Sequence, residues 1–180
     1  MYKVLITGAS SGIGRVTALR LARRGYQVIA TGRSEGRLRG LVEEAGALRL
    51  GLKTFSMDLR SSSDIKEVIE SNSCLEKVDV LVNNAGYGLW GPLETLSDQE
   101  LVNQFQTNLF GLMSLTRTLL PQIRSSENGK IINVSSVLGR LGTPFNGAYV
   151  SSKFALEGLS ESLRYELAPF GVSVSLVEPG

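Results

Sequence analysis

The chain has no histidine and a single cysteine, Cys74. The first absence excludes Ser-His-Asp and Cys-His catalysis and the usual imidazole metal sites. The second excludes an internal disulfide and a thiolate metal cluster. No metal is expected, and a reducing, cytoplasmic setting fits. Acid/base chemistry is left to Tyr, Lys, Asp and Glu. A charge excess is also missing: 19 basic residues against 17 acidic ones give a net charge of +2, and the basic residues form no block. Charge therefore does not point to a nucleic-acid partner. No run of about 18 apolar residues occurs, so no membrane span is expected. The apolar run at the start, within residues 1–8, is too short for a signal peptide. What remains is ordinary: 180 residues, 42% hydrophobic and 20% charged, enough for one domain, 1–180, with a sizeable core.

Short, partly β-branched apolar runs at 4–7, 27–31, 53–57, 78–82, 130–134 and 172–177 read as buried strands. Helical patterns lie between them. The first carries Ile13, Val16, Ala18, Leu19 and Leu21 as a broad apolar face and stops at Gly25. The second, 34–45, turns Leu38, Leu41 and Val42 inward. The third, 63–71, is capped by Ser62 or Ser63. Ser97-Asp98-Gln99-Glu100 is a capping box that opens one long helix to about Arg124, and 147–167 is another. No repeat or linker interrupts them. Strands alternating with helices predict an α/β protein, a doubly wound parallel sheet with helices on both faces.

The first strand–helix junction reads Thr7-Gly8-Ala9-Ser10-Ser11-Gly12-Ile13-Gly14. Gly8 permits a tight exit from the strand, Gly12 clears a path for backbone to approach a pyrophosphate, and Gly14 allows close helix–strand contact. The helix N-terminus offers free N–H groups to phosphates. Strand, glycine turn, helix and strand make the first half of a Rossmann-type dinucleotide fold. The second strand ends at Arg33 rather than at an acid. An arginine there suits a 2′-phosphate, with Ser11 as a second donor, so NADP(H) is expected; Glu35 keeps NAD(H) as the alternative. Asp58 after the third strand either accepts from an adenine amino group, with Leu59 against the ring, or caps a turn. Asn83-Asn84-Ala85-Gly86 ends the fourth strand with small residues that leave room for ribose or nicotinamide; the asparagines alternatively tie strand ends together.

Tyr149 and Lys153 lie four residues apart in a helical segment, on one face. A neighbouring ammonium favours the phenolate, which brings a phenol towards useful acid/base behaviour near neutrality. Asn108 sits mid-helix, where asparagine is mildly unfavourable, and is a functional candidate. Ser135-Ser136 ends the fifth strand. Leu89, Trp90, Leu138, Leu141, Pro144 and Phe145 either line an apolar substrate pocket or are ordinary loop packing.

Taken in order, the glycine turn, Asp58, Asn83-Asn84-Ala85-Gly86, Asn108, Ser136, Tyr149 with Lys153, and Pro179-Gly180 resemble the classical short-chain dehydrogenase/reductases over all 180 residues. Residues 87–180 are most similar to hydroxysteroid-dehydrogenase-like and carbonyl-reductase members. The resemblance implies an NADP(H)-dependent oxidoreductase acting on a small-molecule secondary alcohol or ketone. Tyr149 would be its general acid/base, Lys153 the group that lowers the tyrosine pKa and holds the ribose, Ser136 (rather than Ser135) the partner of the substrate oxygen, and Asn108 the anchor of a water relay. Gly8, Ser10, Ser11, Gly12, Ile13, Gly14, Arg33, Asp58, Leu59, Asn84, Ala85, Gly86, Tyr149, Lys153, Pro179 and Gly180 would hold cofactor. A homodimer or homotetramer through the long helices is implied as well. Family members continue past the Pro-Gly turn, so the chain is expected to be incomplete at its C-terminus and to lack the usual last helix and strand. That expectation motivates the alternative, an NADP(H)-binding regulatory or scaffold module without turnover.

Overall fold

Six strands, each apolar enough to be buried on both faces, form one sheet. In the computed structural model, which describes residues 2–180 and leaves Met1 outside, they are β1 (Lys3–Ile6), β2 (Gln27–Gly32), β3 (Leu52–Ser56), β4 (Val80–Asn83), β5 (Lys130–Val134) and β6 (Ser173–Val177). Every pairing is parallel and the order is β3-β2-β1-β4-β5-β6. The winding reverses between β1 and β4, which opens a crevice at the carboxyl ends of those strands. The helices are α1 (Gly12–Arg23), α2 (Glu35–Ala47), α3 (Ser62–Ser71), α4 (Asp98–Phe105), α5 (Gly111–Ser125) and α6 (Gly147–Leu167).

Burial follows the two-residue period of the strands. Leu5, Ile29, Leu81, Ile131 and Val174 face one side, packed with Ile65 of α3, Leu115 and Leu119 of α5, and Leu163 of α6. Val4, Ile6, Val28, Ala30 and Val82 face the other, against Ala18 and Leu19 of α1 and Leu41 of α2. On this second face the cover thins towards β6: Ile132 and Val134 are only partly buried and Val177 is exposed.

Three local expectations are corrected. The inward face of α1 is Gly14, Ala18, Leu19 and Ala22, whereas Ile13 and Val16 are 53% and 49% exposed. Small residues win because the helix lies close to its strand, and Ile13 turns into the crevice instead. On α2 the exposed member is Val42. The cap of α3 is Ser61, whose hydroxyl accepts from Asp64 N at 3.1 Å.

The segment expected as one helix from Ser97 is a rod with a fault. Its capping box is present as expected. A π-turn, Gln106–Phe110, then separates α4 from α5, with Gly111 N donating to Gln106 O. The extra residue falls where the rod presses on a neighbour: a Cβ on Gly111 would lie only 2.8 Å from Leu59 C and Cβ, and closer still to Leu59 O.

Candidate active site

The crevice has a volume of about 540 Å³ and runs from Arg33, Ser34 and Arg37 at one end to Tyr149, Lys153 and Pro179 at the other. That is the size of a site for an extended small molecule. Its floor is the β1–α1 turn. Gly8 has φ +64°, and a Cβ there would stand 2.7 Å from Ala85 Cα. Gly14 is packed behind the turn, outside the lining: a Cβ would strike Asn84 Nδ2, and Gly8 O at 2.6 Å. Gly12, at φ +54°, has nothing within 4 Å of that position, so backbone is bare where a phosphate would arrive. Thr7, missed by the sequence reading, is the keystone. Its hydroxyl accepts from the N–H groups of Asn84 and Ala85, each at 3.0 Å. Asn84 Nδ2 returns bonds to Thr7 O at 3.0 Å and Gly8 O at 3.2 Å. The end of β4 is thereby sewn to the glycine turn, and Asn84 both braces that turn and lines the crevice.

At the β2 end, Arg33 and Arg37 line the crevice and neither pairs with a carboxylate among the described residues. Arg37 was also missed. It occupies the third position of a helix whose cap, Ser34, accepts from Arg37 N, and that spacing from Arg33 was the available signal. Ser10, Ser11, Ile13, Asp58, Leu59, Ala85 and Gly86 all line the cavity as well. The Asp58 carboxylate is engaged by Arg60, at 2.6 Å from Nη2 and 3.1 Å from Nε. That guanidinium holds it below the usual carboxylate range.

At the other end, α6 carries Tyr149 and Lys153 into the crevice, with Lys153 Nζ 5.7 Å from the Tyr149 ring centre. Lys153 is 5% exposed and donates to Val134 O at 2.8 Å. Burial pushes its ammonium down to about 8, against the opposing pull of Glu157 one turn along. Asn108, in the π-turn, is buried. Its Oδ1 accepts from Tyr87 N at 3.1 Å, and its Nδ2 donates to Tyr87 O at 3.0 Å and Ser152 Oγ at 3.1 Å. Both ends of that side chain are thus bound to protein. Gln104, one turn earlier, holds Tyr87 O and Leu89 N in the same way. The two together fasten the loop that leaves β4. A side chain on Gly86 would stand 3.2 Å from Asn108 Oδ1 and 3.7 Å from Lys153 Nζ, so these groups converge on one point.

Ser135 lines the crevice and Ser136 does not. The Ser136 hydroxyl accepts from Leu138 N at 3.2 Å and points to Pro179 O at 3.4 Å. Gly180 likewise falls outside the lining, beside Val137. Thr107 is an unforeseen member whose buried Oγ1 has no hydrogen-bond partner although it borders the crevice. Asn83 is structural: its Nδ2 donates to Thr116 Oγ1 at 3.1 Å and Asn133 Oδ1 at 2.9 Å, and Asn133 Nδ2 reaches Ser160 Oγ at 2.8 Å. This polar chain ties α5, β4, β5 and α6. Trp90 and Phe145 are 68% and 65% exposed.

The crevice thus joins a bare-backbone floor, a cationic end and a tyrosine with a lysine one helical turn away. The chain belongs to the short chain dehydrogenase family, whose model matches residues 2–180. It is 46% identical over 182 residues to Retinol dehydrogenase 8 of Homo sapiens, covering 98% of this chain and 58% of that protein. It is 40% identical over 178 residues to the 3-ketodihydrosphingosine reductase of Bacteroides thetaiotaomicron, covering 98% and 62%. It thus spans about three fifths of the length of these relatives. Among solved structures, a metagenomic short-chain oxidoreductase in complex with NADP superposes with a TM-score of 0.91 at 35% identity, over 99% of this chain and 82% of that one. No helix among the described residues is long and apolar enough to cross a membrane.

Proposed function

We propose that these residues bind NADP(H) and interconvert an apolar secondary alcohol and its ketone. The carrying observation is that Tyr149 and Lys153 share one crevice with Arg33 and Arg37, two guanidinium groups without a carboxylate partner among the described residues. The residues fit the cofactor. The bare turn at Gly12 and the N-terminus of α1 meet a pyrophosphate, the two arginines meet a 2′-phosphate, and the free Thr107 hydroxyl stands ready for a ribose or amide group. When bound, the nicotinamide supplies the hydride.

The chain's own groups do the rest. In the reducing direction Tyr149 donates its phenolic proton to the carbonyl oxygen, and in the reverse direction it takes the proton back. Lys153, held by Val134 O, presents an ammonium that stabilises the phenolate. Ser136 donates to the substrate oxygen as charge gathers there. Asn108 fixes the Tyr87 loop and, through it, the wall of the reacting end. An apolar substrate is supported by exposed Trp90, beside Gly88 of the lining, and by relatives named for retinol and 3-ketodihydrosphingosine. Exposed Phe110, Met113 and Phe154 on the rod and α6 support assembly of two or four copies through these helices.

Titration with NADPH and NADH, followed by NADPH oxidation with a panel of ketones and aldehydes, tests this reading. Tighter NADPH binding with turnover is expected. A kinetic preference for NADH would overturn the cofactor assignment, and a Tyr149→Phe enzyme turning over at the parent rate would overturn the mechanism.

A further inference from the structure

The catalytic machinery proposed above is split by a loop. Ser136 lies two residues past β5, Tyr149 stands in the first turn of α6, and the residues between them include one short helical turn, Val137–Gly139. One side chain crosses from that loop to both neighbouring elements. Arg140 Nη2 lies 3.0 Å from Glu157 Oε2 on α6 and 3.0 Å from Glu178 Oε1 after β6, with Nε 3.2 Å from the latter. Glu157 is only 5% exposed, and neither of its carboxylate oxygens has a hydrogen-bond partner; Arg140 is its one ion contact among the described residues, and the Lys153 ammonium one turn back also acts on it. A buried carboxylate held this way is costly to expose and costly to leave unpaired. It therefore pins the guanidinium firmly.

What the fork pins is the serine. Ser136 Oγ lies 3.4 Å from Pro179 O, and Val137 N donates to the same carbonyl at 3.1 Å. Pro179 itself lines the crevice. Beside Gly139, a Cβ would stand 2.7 Å from Ser135 Oγ and 3.0 Å from Glu157 Oε1, so the loop is seated directly on the buried carboxylate. We infer that Arg140, forked between Glu157 and Glu178, is a positioning residue that sets Ser136 against Tyr149 and the Pro179 strap. This rests on the assignment of Ser136 made above. The two carboxylates are unequal in role: Glu157 fixes the loop to the helix of the acid/base pair, and Glu178 fixes it to the strap.

Arg140→Gln tests the inference in two ways, with Glu178→Gln as the gentler variant that leaves Glu157 paired. Amide exchange followed by NMR needs no substrate. Val137 and Leu138 are expected to exchange about tenfold faster in both variants, with the amides of β1 and α1 unchanged. Equal acceleration everywhere, or none at Val137 and Leu138, overturns the clamp. In turnover, kcat is expected to fall by about 10- to 100-fold with NADPH affinity little changed, because a misplacement of about 1 Å is enough for such a loss. Arg140→Lys, a point charge that cannot fork, should recover only part of it. In a Ser136→Ala background the Arg140→Gln loss should vanish. An undiminished loss there overturns the clamp alone. A Ser136→Ala enzyme with the parent kcat overturns the serine assignment, and the clamp with it.

Discussion

The two halves of the sheet build their share of the crevice by different means. From β1 to β3 the site is backbone: a glycine turn, a helix N-terminus and a strand end, with arginines added at the rim. From β4 to β6 it is side chains: Ser135, Tyr149 and Lys153 line the crevice, with Asn108 and Ser136 behind them, and polar contacts hold Asn108, Ser136 and Lys153. The first half rests on layers that cover both faces, whereas the β5–β6 end has one face thinly covered. Backbone sites need only the right turn, and close packing supplies it. Side-chain sites need orientation as well, which here comes from the buried network Thr116–Asn83–Asn133–Ser160 and, as proposed above, from the half-exposed Arg140 fork. Substitutions in the first half should therefore disturb binding and stability together, and those in the second half should disturb rate.

The largest contrast is expected from Tyr149→Phe. Its kcat should drop by about 10³-fold, within the range for a lost general acid, while the NADPH dissociation constant measured by fluorescence stays within about twofold. Joint loss of both would erase the distinction between the halves. The buried Lys153 comes next. Its folded pKa of about 8 lies below the 10.5 of a free lysine, so between those values the native chain binds fewer protons than the unfolded one. Stability should rise with pH across that window, by up to about 3 kcal/mol. Urea unfolding at pH 8 and pH 10 measures it, and an unchanged slope in Lys153→Met would refute the origin. Gly14→Val should cost about 1–3 kcal/mol through overpacking against Asn84 and Gly8 and should weaken NADPH binding, the joint loss that marks the first half. Arg33→Ala and Arg37→Ala should each raise the NADPH dissociation constant by about tenfold through a lost charged hydrogen bond and leave NADH unmoved; equal weakening of both cofactors would remove the 2′-phosphate reading. Smallest are the helix caps. Ser61→Ala and Ser97→Ala should each cost about 1 kcal/mol without touching binding or rate, which makes them the control in either half.

Much of the first half was legible because its information is local. The spacing of Gly8, Gly12 and Gly14 sits within one turn, and Arg33 follows its strand directly. Six strands and their parallel order follow from runs of apolar residues broken by helices. What sequence could not convey is partnership across the fold. Ile13 and Val16 look like core by period, yet a close helix–strand approach selects Gly14 and Ala18. Thr7 reads as the last residue of a strand, and only the neighbouring β4 turns its hydroxyl into an acceptor for two amides. Asp58 shows no sign, from its own position, of the guanidinium two residues on that occupies it. The misfit of Asn108 in a helix was visible; that the helix there takes an extra residue was not, because the close approach of Gly111 to Leu59 joins residues 52 positions apart.

That extra residue works as a phase shifter. A regular helix turns about 100° per residue, so the π-turn decouples the azimuth of α4 from that of α5. Downstream, Leu112, Leu115, Leu119 and Ile123 aim at the sheet; upstream, Gln104 aims at the Tyr87 loop. One rod thus serves two targets that no uninterrupted helix could address at once. A regular helix over the same residues, with no extra residue absorbed, would swing α4 by about 100° relative to α5 and turn Gln104 away from the loop.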